Sequence, residues 1–143
     1  MQLIDVLEFR VRYSETDQMG TFYNSRALEW FECGRSELMR KLGFPYTVTE
    51  SKGVFLPLVE AHLEFKGRAR YDDLLILATM WETLGRARLR FQTAIRHAET
   101  GAPVVSGYTV HAFTDHLGKA MRPPAWLIET MAKLSTPPTH STP

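Results

Sequence analysis

Four segments with the apolar pattern of β-strands follow one another between residues 55 and 114, with only short turns between them. They span residues 55–65, 74–81, 86–97 and 104–114. In the first segment, apolar residues such as Val59 and Leu63 alternate with charged residues such as Glu60 and Glu64, which is the period of a strand with one buried face. Parallel strands need a long crossover connection, and these turns are too short for one. The chain is therefore predicted to form an antiparallel sheet.

One further strand and one long helix precede these segments. Residues 7–13 alternate apolar and charged side chains, and Asn24 or Ser25 can cap a helix that runs to Gly43. The apolar or small positions with helical spacing are Ala27, Phe31, Gly34, Leu38 and Leu42. Glycine costs about 1 kcal/mol relative to alanine inside a helix, so we expect Gly34 to allow a close approach to a sheet. An amphipathic helix on one face of an antiparallel sheet is an α+β fold.

Length and composition are those of one globular domain. The chain has 143 residues, 44% of them hydrophobic, and a chain of this size buries about two-thirds of its surface on folding. We expect this domain over residues 1–134, with a short helix at its end. Residues 135–143 contain almost nothing to bury and are predicted to be a frayed tail.

Charge and cysteine content exclude several classes of function. Lys plus Arg is 17 and Asp plus Glu is 16, so no bulk positive charge favours nucleic acid or an anionic membrane. The longest purely apolar run, residues 74–78, is too short to cross a bilayer. Cys33 is the single cysteine, which excludes an internal disulfide and fits a cytoplasmic location. We expect its side chain to be buried as a small hydrophobic group. The five scattered histidines predict no metal site.

Asp17 is the acid with the clearest chemical possibilities. It lies in the polar loop 14–20, before the predicted helix, where backbone N–H groups lack intrahelical partners. A carboxylate beside such donors can act as a nucleophile or general base on a carbonyl group that the same donors polarise. The alternative is that Asp17 only closes the loop through hydrogen bonds to its own backbone.

Basic residues form two further patterns. Lys66, Arg68 and Arg70 alternate near a strand end and can therefore face one way and bind phosphates, although solvated charges are commoner at such a place. The basic positions of the fourth predicted strand are Arg86, Arg88, Arg90 and Arg96. They lack the interleaved aromatic residues of a nucleic-acid surface, so we interpret them as a solvated or subunit-facing sheet face.

Two stretches of the chain resemble a known family. RYSETDQMGTFYN at 12–24 with ALEWFECGR at 27–35, and LVEAH at 58–62 with FKGRARYDD at 65–73, are similar to signatures of hotdog-fold acyl-coenzyme A (acyl-CoA) thioesterases, in the 4-hydroxybenzoyl-CoA thioesterase-like branch. The resemblance covers about residues 5–120. It implies a five-stranded antiparallel sheet wrapped around one long helix. It also implies a homo-oligomer, a dimer or a tetramer, in which the sheets of two subunits become continuous.

The same resemblance implies roles for individual residues. Asp17 is the expected catalytic carboxylate, as nucleophile or as base for water, and backbone N–H groups around Tyr23 and Asn24 are expected to receive the thioester oxygen. Many relatives carry His or Tyr where this chain has Asn24, so a backbone donor is retained here and a histidine proton transfer is not. Glu60 is expected beside the cleft as an assisting carboxylate. The expected contacts for the phosphates of CoA are Lys66, Arg68, Arg70 and Arg122.

The resulting hypothesis is an acyl-CoA thioesterase that hydrolyses a thioester to a carboxylic acid and free CoA, without a metal or an organic cofactor. Two alternatives stay open. One is a non-catalytic module that binds or senses acyl-CoA. The other is a thioesterase that acts on acyl groups held by a carrier protein, for which the arginines of the fourth predicted strand would dock an acidic partner.

Overall fold

Over residues 2–135, the computed structural model contains one five-stranded sheet and three α-helices, and side chains are described from Asp5 to Lys133. The elements are β1 (Gln2–Arg10), α1 (Arg26–Lys41), α2 (Tyr46–Ser51), β2 (Leu58–Phe65), β3 (Leu74–Leu84), β4 (Arg88–His97), β5 (Pro103–Ala112) and α3 (Ala125–Ser135). No helix in this part of the chain is long and apolar enough to span a membrane. The tail predicted over residues 135–143 lies, apart from Ser135, outside the described residues.

The sheet has the order β1-β3-β4-β5-β2, and each neighbouring pair is antiparallel. The strands β1 and β2 are therefore its two edges. Helix α1 packs on one face of the sheet, where the core includes Phe31, Leu77 and Phe91. This is the predicted α+β arrangement.

Gly34 lets α1 lie close against β3, as its position predicts. A Cβ atom at Gly34 would overlap Leu77 Cδ2 and would lie 2.6 Å from Thr79 Oγ1. Any larger residue would therefore displace the side chains of Leu77 and Thr79 or the helix itself, because protein interiors have no spare volume for it. The close contact fixes the depth of α1 and, with it, the position of the chain that enters the helix.

The first strand is displaced from its predicted position. Alternation over residues 7–13 predicts a strand to Tyr13, but β1 ends at Arg10. The chain leaves the sheet because the Arg12 backbone N–H donates to the Glu15 carboxylate at 2.7 Å, which closes a 3₁₀ turn at Tyr13–Glu15. Tyr13 is exposed and meets the edge of Tyr71. The short helix α2 also lies where the sequence predicts only an irregular connection.

One face of β3 is fully covered and the other is not. Leu75 and Leu77 are buried under α1, whereas Ile76 and Met80 on the opposite face are half-buried. The apolar run of this strand predicts cover on both faces. Within the subunit, the outer face of β3 is only partly covered.

His111 is buried in the core as a neutral ring, with 1% of its surface exposed. The Leu56 carbonyl can only accept, so Nδ1 donates to it at 2.9 Å, and Nε2 then accepts from the Thr109 hydroxyl at 3.0 Å. Loss of solvation lowers the pKa of His111 to about 4; the hydrogen bond to Leu56 opposes this change, and the charge of Arg35 adds to it. The core therefore contains a group that resists protonation.

Candidate active site

Asp17 lies at the tip of a tight hairpin formed by residues 16–22, called here the 16–22 hairpin. The Asp17 N–H donates to Thr21 O at 2.9 Å, and the Gly20 N–H donates to Asp17 O at 3.0 Å. Gly20 has φ +79°, a conformation that glycine adopts without strain. The Met19 N–H donates to Asp17 Oδ1 at 2.9 Å, so the loop-closing role weighed from the sequence is present. The other carboxylate oxygen, Oδ2, has no hydrogen-bond partner among the described residues.

The 16–22 hairpin is docked on the segment that follows β2. The Phe22 N–H donates to Ala69 O at 2.9 Å. The Thr21 hydroxyl donates to Ala69 O at 3.2 Å and accepts from the Ala69 N–H at 3.1 Å. Ala69 is fully buried and lies between Arg68 and Arg70 in the chain. The structure therefore brings two of the predicted phosphate-binding residues beside the hairpin.

Glu15 lies directly before the hairpin and is buried, with 3% of its surface exposed. Its carboxylate accepts hydrogen bonds from the Arg12 backbone N–H at 2.7 Å, from the Trp30 indole N–H at 2.7 Å and from the Arg12 guanidinium at 3.3 Å. Burial acts to raise the pKa of Glu15, but these hydrogen bonds outweigh burial and the pKa is lowered. Sequence reasoning missed Glu15. Its partner Trp30 is 15 residues away, so no local pattern reveals the contact.

The chain that enters α1 offers two unpaired amides. Asn24 and Ser25 directly precede the helix, and their backbone N–H groups have no acceptor within residues 2–135. The Tyr23 N–H is different, because it donates to Glu15 O at 2.8 Å. The expectation that Tyr23 supplies a free backbone donor is therefore wrong for this structure. The unpaired N–H groups are those of Asn24, from which a contribution is expected, and of Ser25, which the sequence analysis did not name.

Glu60 does not lie beside the 16–22 hairpin. In β2, Leu63 packs with the core on the α1 side, and side chains alternate along a strand, so Glu60 points to the opposite face. There its carboxylate accepts a hydrogen bond from the Tyr108 hydroxyl, which raises the pKa of Tyr108. Within the subunit, Glu60 therefore points away from the sheet face on which α1 packs, and its partner there is Tyr108.

The four predicted phosphate contacts do not form one group. Lys66 follows β2 and its Nζ lies 3.8 Å from Glu64 Oε2, whereas Arg122 follows β5. The antiparallel pairing of β2 and β5 places the residues that follow them at opposite ends of the sheet. β2 has eight residues, which at about 3.4 Å each separate the two ends by about 27 Å.

Arg122 instead lies near Arg86, in the β3–β4 turn, and Arg88, the first residue of β4. A cavity of about 270 Å³ is lined by Thr83, Gly85, Arg86, Arg88, Arg122, Pro123 and Ile128. Its lining includes three guanidinium groups and no acidic residue. These arginines come together because the turn between β3 and β4 meets the chain after β5. The sequence analysis did not predict this contact.

A larger cavity of about 660 Å³ opens between β1 and α1. It is lined by Leu7, Phe9, Arg10, Arg12, Glu15, Glu29, Trp30, Glu32, Cys33, Ser36, Glu37, Arg40 and Leu77, and Asp17 is not among these residues. Cys33 is exposed at its wall, so the expectation of a buried cysteine is wrong: Gly34, and not Cys33, faces the sheet. Desolvation, followed by the charge of Glu32, raises the pKa of the Cys33 thiol, which disfavours the reactive thiolate.

Among the residues that the structure describes, no group of three or more His, Cys, Asp or Glu side chains is arranged to hold a metal ion. The chain that leads into α1 instead contains the Asp17 carboxylate and the unpaired backbone N–H groups of Asn24 and Ser25. Together they can polarise a carbonyl group and direct an oxygen nucleophile at its carbon.

The sequence is similar to those of known thioesterases. The sequence model of the thioesterase-like superfamily matches residues 11–131. The acyl-CoA thioesterase YbgC of Haemophilus influenzae is 30% identical over 124 residues, which are 86% of this chain and 88% of that protein. The putative acyl-CoA thioesterase YneP of Bacillus subtilis is 41% identical over 75 residues, 52% of this chain, and this match spans 54% of that protein's length.

A solved structure shows the same architecture. The DHNA-CoA thioesterase of Staphylococcus aureus superposes with a TM-score of 0.82 at 27% identity, over 90% of this chain and 89% of that one. The hotdog fold that the sequence resemblance implies is confirmed. With the superfamily match over residues 11–131, the chain belongs to the thioesterase-like superfamily.

Proposed function

We propose that this protein hydrolyses acyl-CoA thioesters to a carboxylic acid and free CoA, and that Asp17 is its catalytic carboxylate. The observation that carries the proposal is the unpaired Oδ2 of Asp17, on a clamped hairpin that leads directly to the unpaired N–H groups of Asn24 and Ser25. The acyl-CoA thioesterases among the relatives support the substrate class.

In this mechanism the thioester oxygen accepts hydrogen bonds from the N–H groups of Asn24 and Ser25, which stabilise the negative charge that develops on it. Asp17 Oδ2 takes a proton from water while the water oxygen bonds to the carbonyl carbon, or it attacks that carbon itself and forms an anhydride that water then opens. In both routes the C–S bond breaks and the CoA thiolate takes up one proton. One water molecule is consumed for each acid and thiol, and no metal or organic cofactor takes part.

A thioester hydrolysis screen, followed by thiol release, tests this function. The panel contains short, branched, aromatic and long acyl groups on CoA, with matched acyl groups on a carrier protein. We expect turnover of at least one CoA thioester, and faster turnover of it than of the matched carrier thioester. Binding of every thioester without turnover would instead identify a non-catalytic acyl-CoA-binding module, and preference for the carrier thioester would identify a carrier-protein thioesterase.

We propose that Arg68 and Arg70 contact the phosphates of CoA, because they flank Ala69 beside the 16–22 hairpin. The double variant Arg68→Gln/Arg70→Gln should raise KM for acyl-CoA about tenfold, which is the size expected for charge-assisted contacts at an exposed site. The same acyl group on pantetheine lacks the nucleotide, so its KM should not change. Steady-state kinetics with the two substrates separate these effects from a general loss of activity.

Arg122→Gln is the matched control for that prediction. Within one subunit Arg122 lies at the other end of the sheet, so we expect its replacement to leave KM for acyl-CoA close to the wild-type value. A rise in KM for Arg122→Gln, without one for Arg68 and Arg70, would assign the phosphates to the cavity at Arg86, Arg88 and Arg122. That cavity would then have to come from a partner subunit.

We also propose that the enzyme is a homo-oligomer, a dimer or a tetramer, in which the β2 edges of two subunits pair. β2 is an edge strand with exposed Leu58, Val59 and Phe65. Unpaired edge strands of this kind are usually covered by another segment or another chain. The mass in solution should be at least twice that of one chain. A monomeric mass at micromolar concentration would contradict this pairing. The single Cys33 fits the reducing cytoplasm, in which we expect the enzyme to act.

A further inference from the structure

We infer that Glu15 is a positioning residue for the catalytic centre: its ionised carboxylate holds the 16–22 hairpin against α1, so that Asp17 and the N–H groups of Asn24 and Ser25 keep one relative geometry. This inference rests on the proposed function, because it concerns the geometry of the same reaction. Glu15 contacts Arg12, Trp30 and Tyr23, and it acts on the reaction through the positions of these residues.

The hydrogen bonds of Glu15 join three parts of the chain. Its carboxylate receives the Arg12 N–H from the chain that leaves β1 and the Trp30 indole N–H from α1. Its main-chain carbonyl receives the Tyr23 N–H, directly after the hairpin. Because the whole hairpin lies between Glu15 and Tyr23, these contacts close it at its base. Asp17 is two residues from that closure.

The partners of Glu15 are themselves held in place. The Trp30 ring lies 5.1 Å from the ring of Phe9 and 4.8 Å from the ring of Phe22, measured between centroids. Trp30 is buried and has little freedom to follow a displaced carboxylate. The lowered pKa of Glu15 supports a charged acceptor at neutral pH. A rigid donor and a charged acceptor therefore set the distance between the hairpin and α1.

Glu15→Gln tests the inference because it keeps the size of the side chain and changes its hydrogen bonding. Gln has one carbonyl oxygen and one NH₂ group, so its NH₂ must face the Trp30 indole N–H or the N–H of Arg12, and all of these are donors. The side chain or the hairpin must shift to avoid this contact. Misplacement of reacting groups by about 1 Å can cost about 100-fold in rate. We expect kcat to fall about 30- to 100-fold, with KM within about threefold.

Trp30→Phe is the second variant, because it removes one donor and keeps an aromatic ring. We expect kcat to fall about 3- to 10-fold, the size of one lost hydrogen bond. The double variant should lose less than the product of the two single effects, since both act through one contact. Glu29→Gln is the matched control: Glu29 lines the same cavity but is exposed and pairs with Arg26, so its kcat should match the wild type.

The outcomes distinguish this inference from the proposed function. Wild-type kcat in a folded Glu15→Gln protein overturns the inference, and if Asp17→Asn is inactive in the same assay, the proposed function stands. If Glu15→Gln does not fold by circular dichroism, Trp30→Phe decides, and an unchanged kcat there overturns the inference. An inactive, folded Glu15→Gln beside a fully active Trp30→Phe would indicate that Glu15 meets the reacting atoms, which also overturns it. If the wild type hydrolyses no thioester, the proposed function and the inference fall together.

Discussion

Replacement of Asp17 by asparagine is expected to lower kcat about 100-fold or more, the usual loss for a missing general base or nucleophile, while KM changes little. Asparagine retains an oxygen that can accept the Met19 N–H, so the turn should survive. The substitution removes the negative charge and replaces Oδ2 with an NH₂ group. Thiol-release kinetics measure kcat and KM, and mass spectrometry of the quenched wild-type enzyme distinguishes the two routes, because only nucleophilic attack leaves an acyl group on Asp17.

The chain contains a matched control for this experiment. Asp115 forms the same kind of turn: its N–H donates to Lys119 O at 2.9 Å, the Gly118 N–H donates to its carbonyl at 3.0 Å, and the Leu117 N–H donates to its Oδ1 at 2.9 Å. Asp115→Asn therefore repeats the chemical change in the same local structure, away from the start of α1. Its kcat should stay close to the wild-type value. Near-wild-type turnover of Asp17→Asn, or equal losses in both variants, would remove Asp17 from the mechanism.

Acid is expected to lower the free energy of unfolding by about 3 kcal/mol between pH 6.5 and pH 4 through His111 alone. The ring has a pKa of about 4 in the folded protein, against 6.5 for the ordinary value. Between these values the unfolded chain binds a proton that the folded chain does not, so each pH unit costs about 1.4 kcal/mol. The stabilisation is complete above pH 6.5 and is lost at pH 4. Chemical denaturation at several pH values and one protein concentration measures it.

His111→Gln separates this effect from the titration of carboxylates. Glutamine can donate to the Leu56 carbonyl and accept from Thr109, but it does not titrate, so the decrease between pH 6.5 and pH 4 should shrink by about 3 kcal/mol. A His111→Gln protein with the full wild-type slope would show that another group carries the acid sensitivity.

The sheet and the long helix are predictable from sequence because their signals are local. Alternation around Leu63 and helical spacing around Gly34 each depend on neighbours within a few residues, and the structure has both features. The end of β1 is not predictable in this way. It depends on the Glu15 carboxylate, which takes the Arg12 N–H out of the sheet. Helix α2 has six residues, too few for a periodic pattern to stand out.

The candidate site likewise contains some residues that local sequence signals predict and others whose positions depend on the fold. Asp17 could be singled out from a polar loop before a helix, and Arg68 and Arg70 from their alternation. The pairing of Glu15 with Trp30 depends on how the chain folds back onto α1, and local spacing contains no information about it. The position of Arg122 depends on strand direction: β2 and β5 run antiparallel, so the residues after them cannot meet in one subunit.

Cys33 has a practical consequence for experiments on this enzyme. It is the single thiol of the chain and it stands exposed at the wall of the cavity between β1 and α1. A fluorophore or spin label attached there would occupy one defined place in every molecule, without prior removal of other cysteines. Its spectrum would report the polarity of that cavity and the mobility of the label within it. In an assembly of identical chains, the spacing between labels would also reveal how the subunits are arranged.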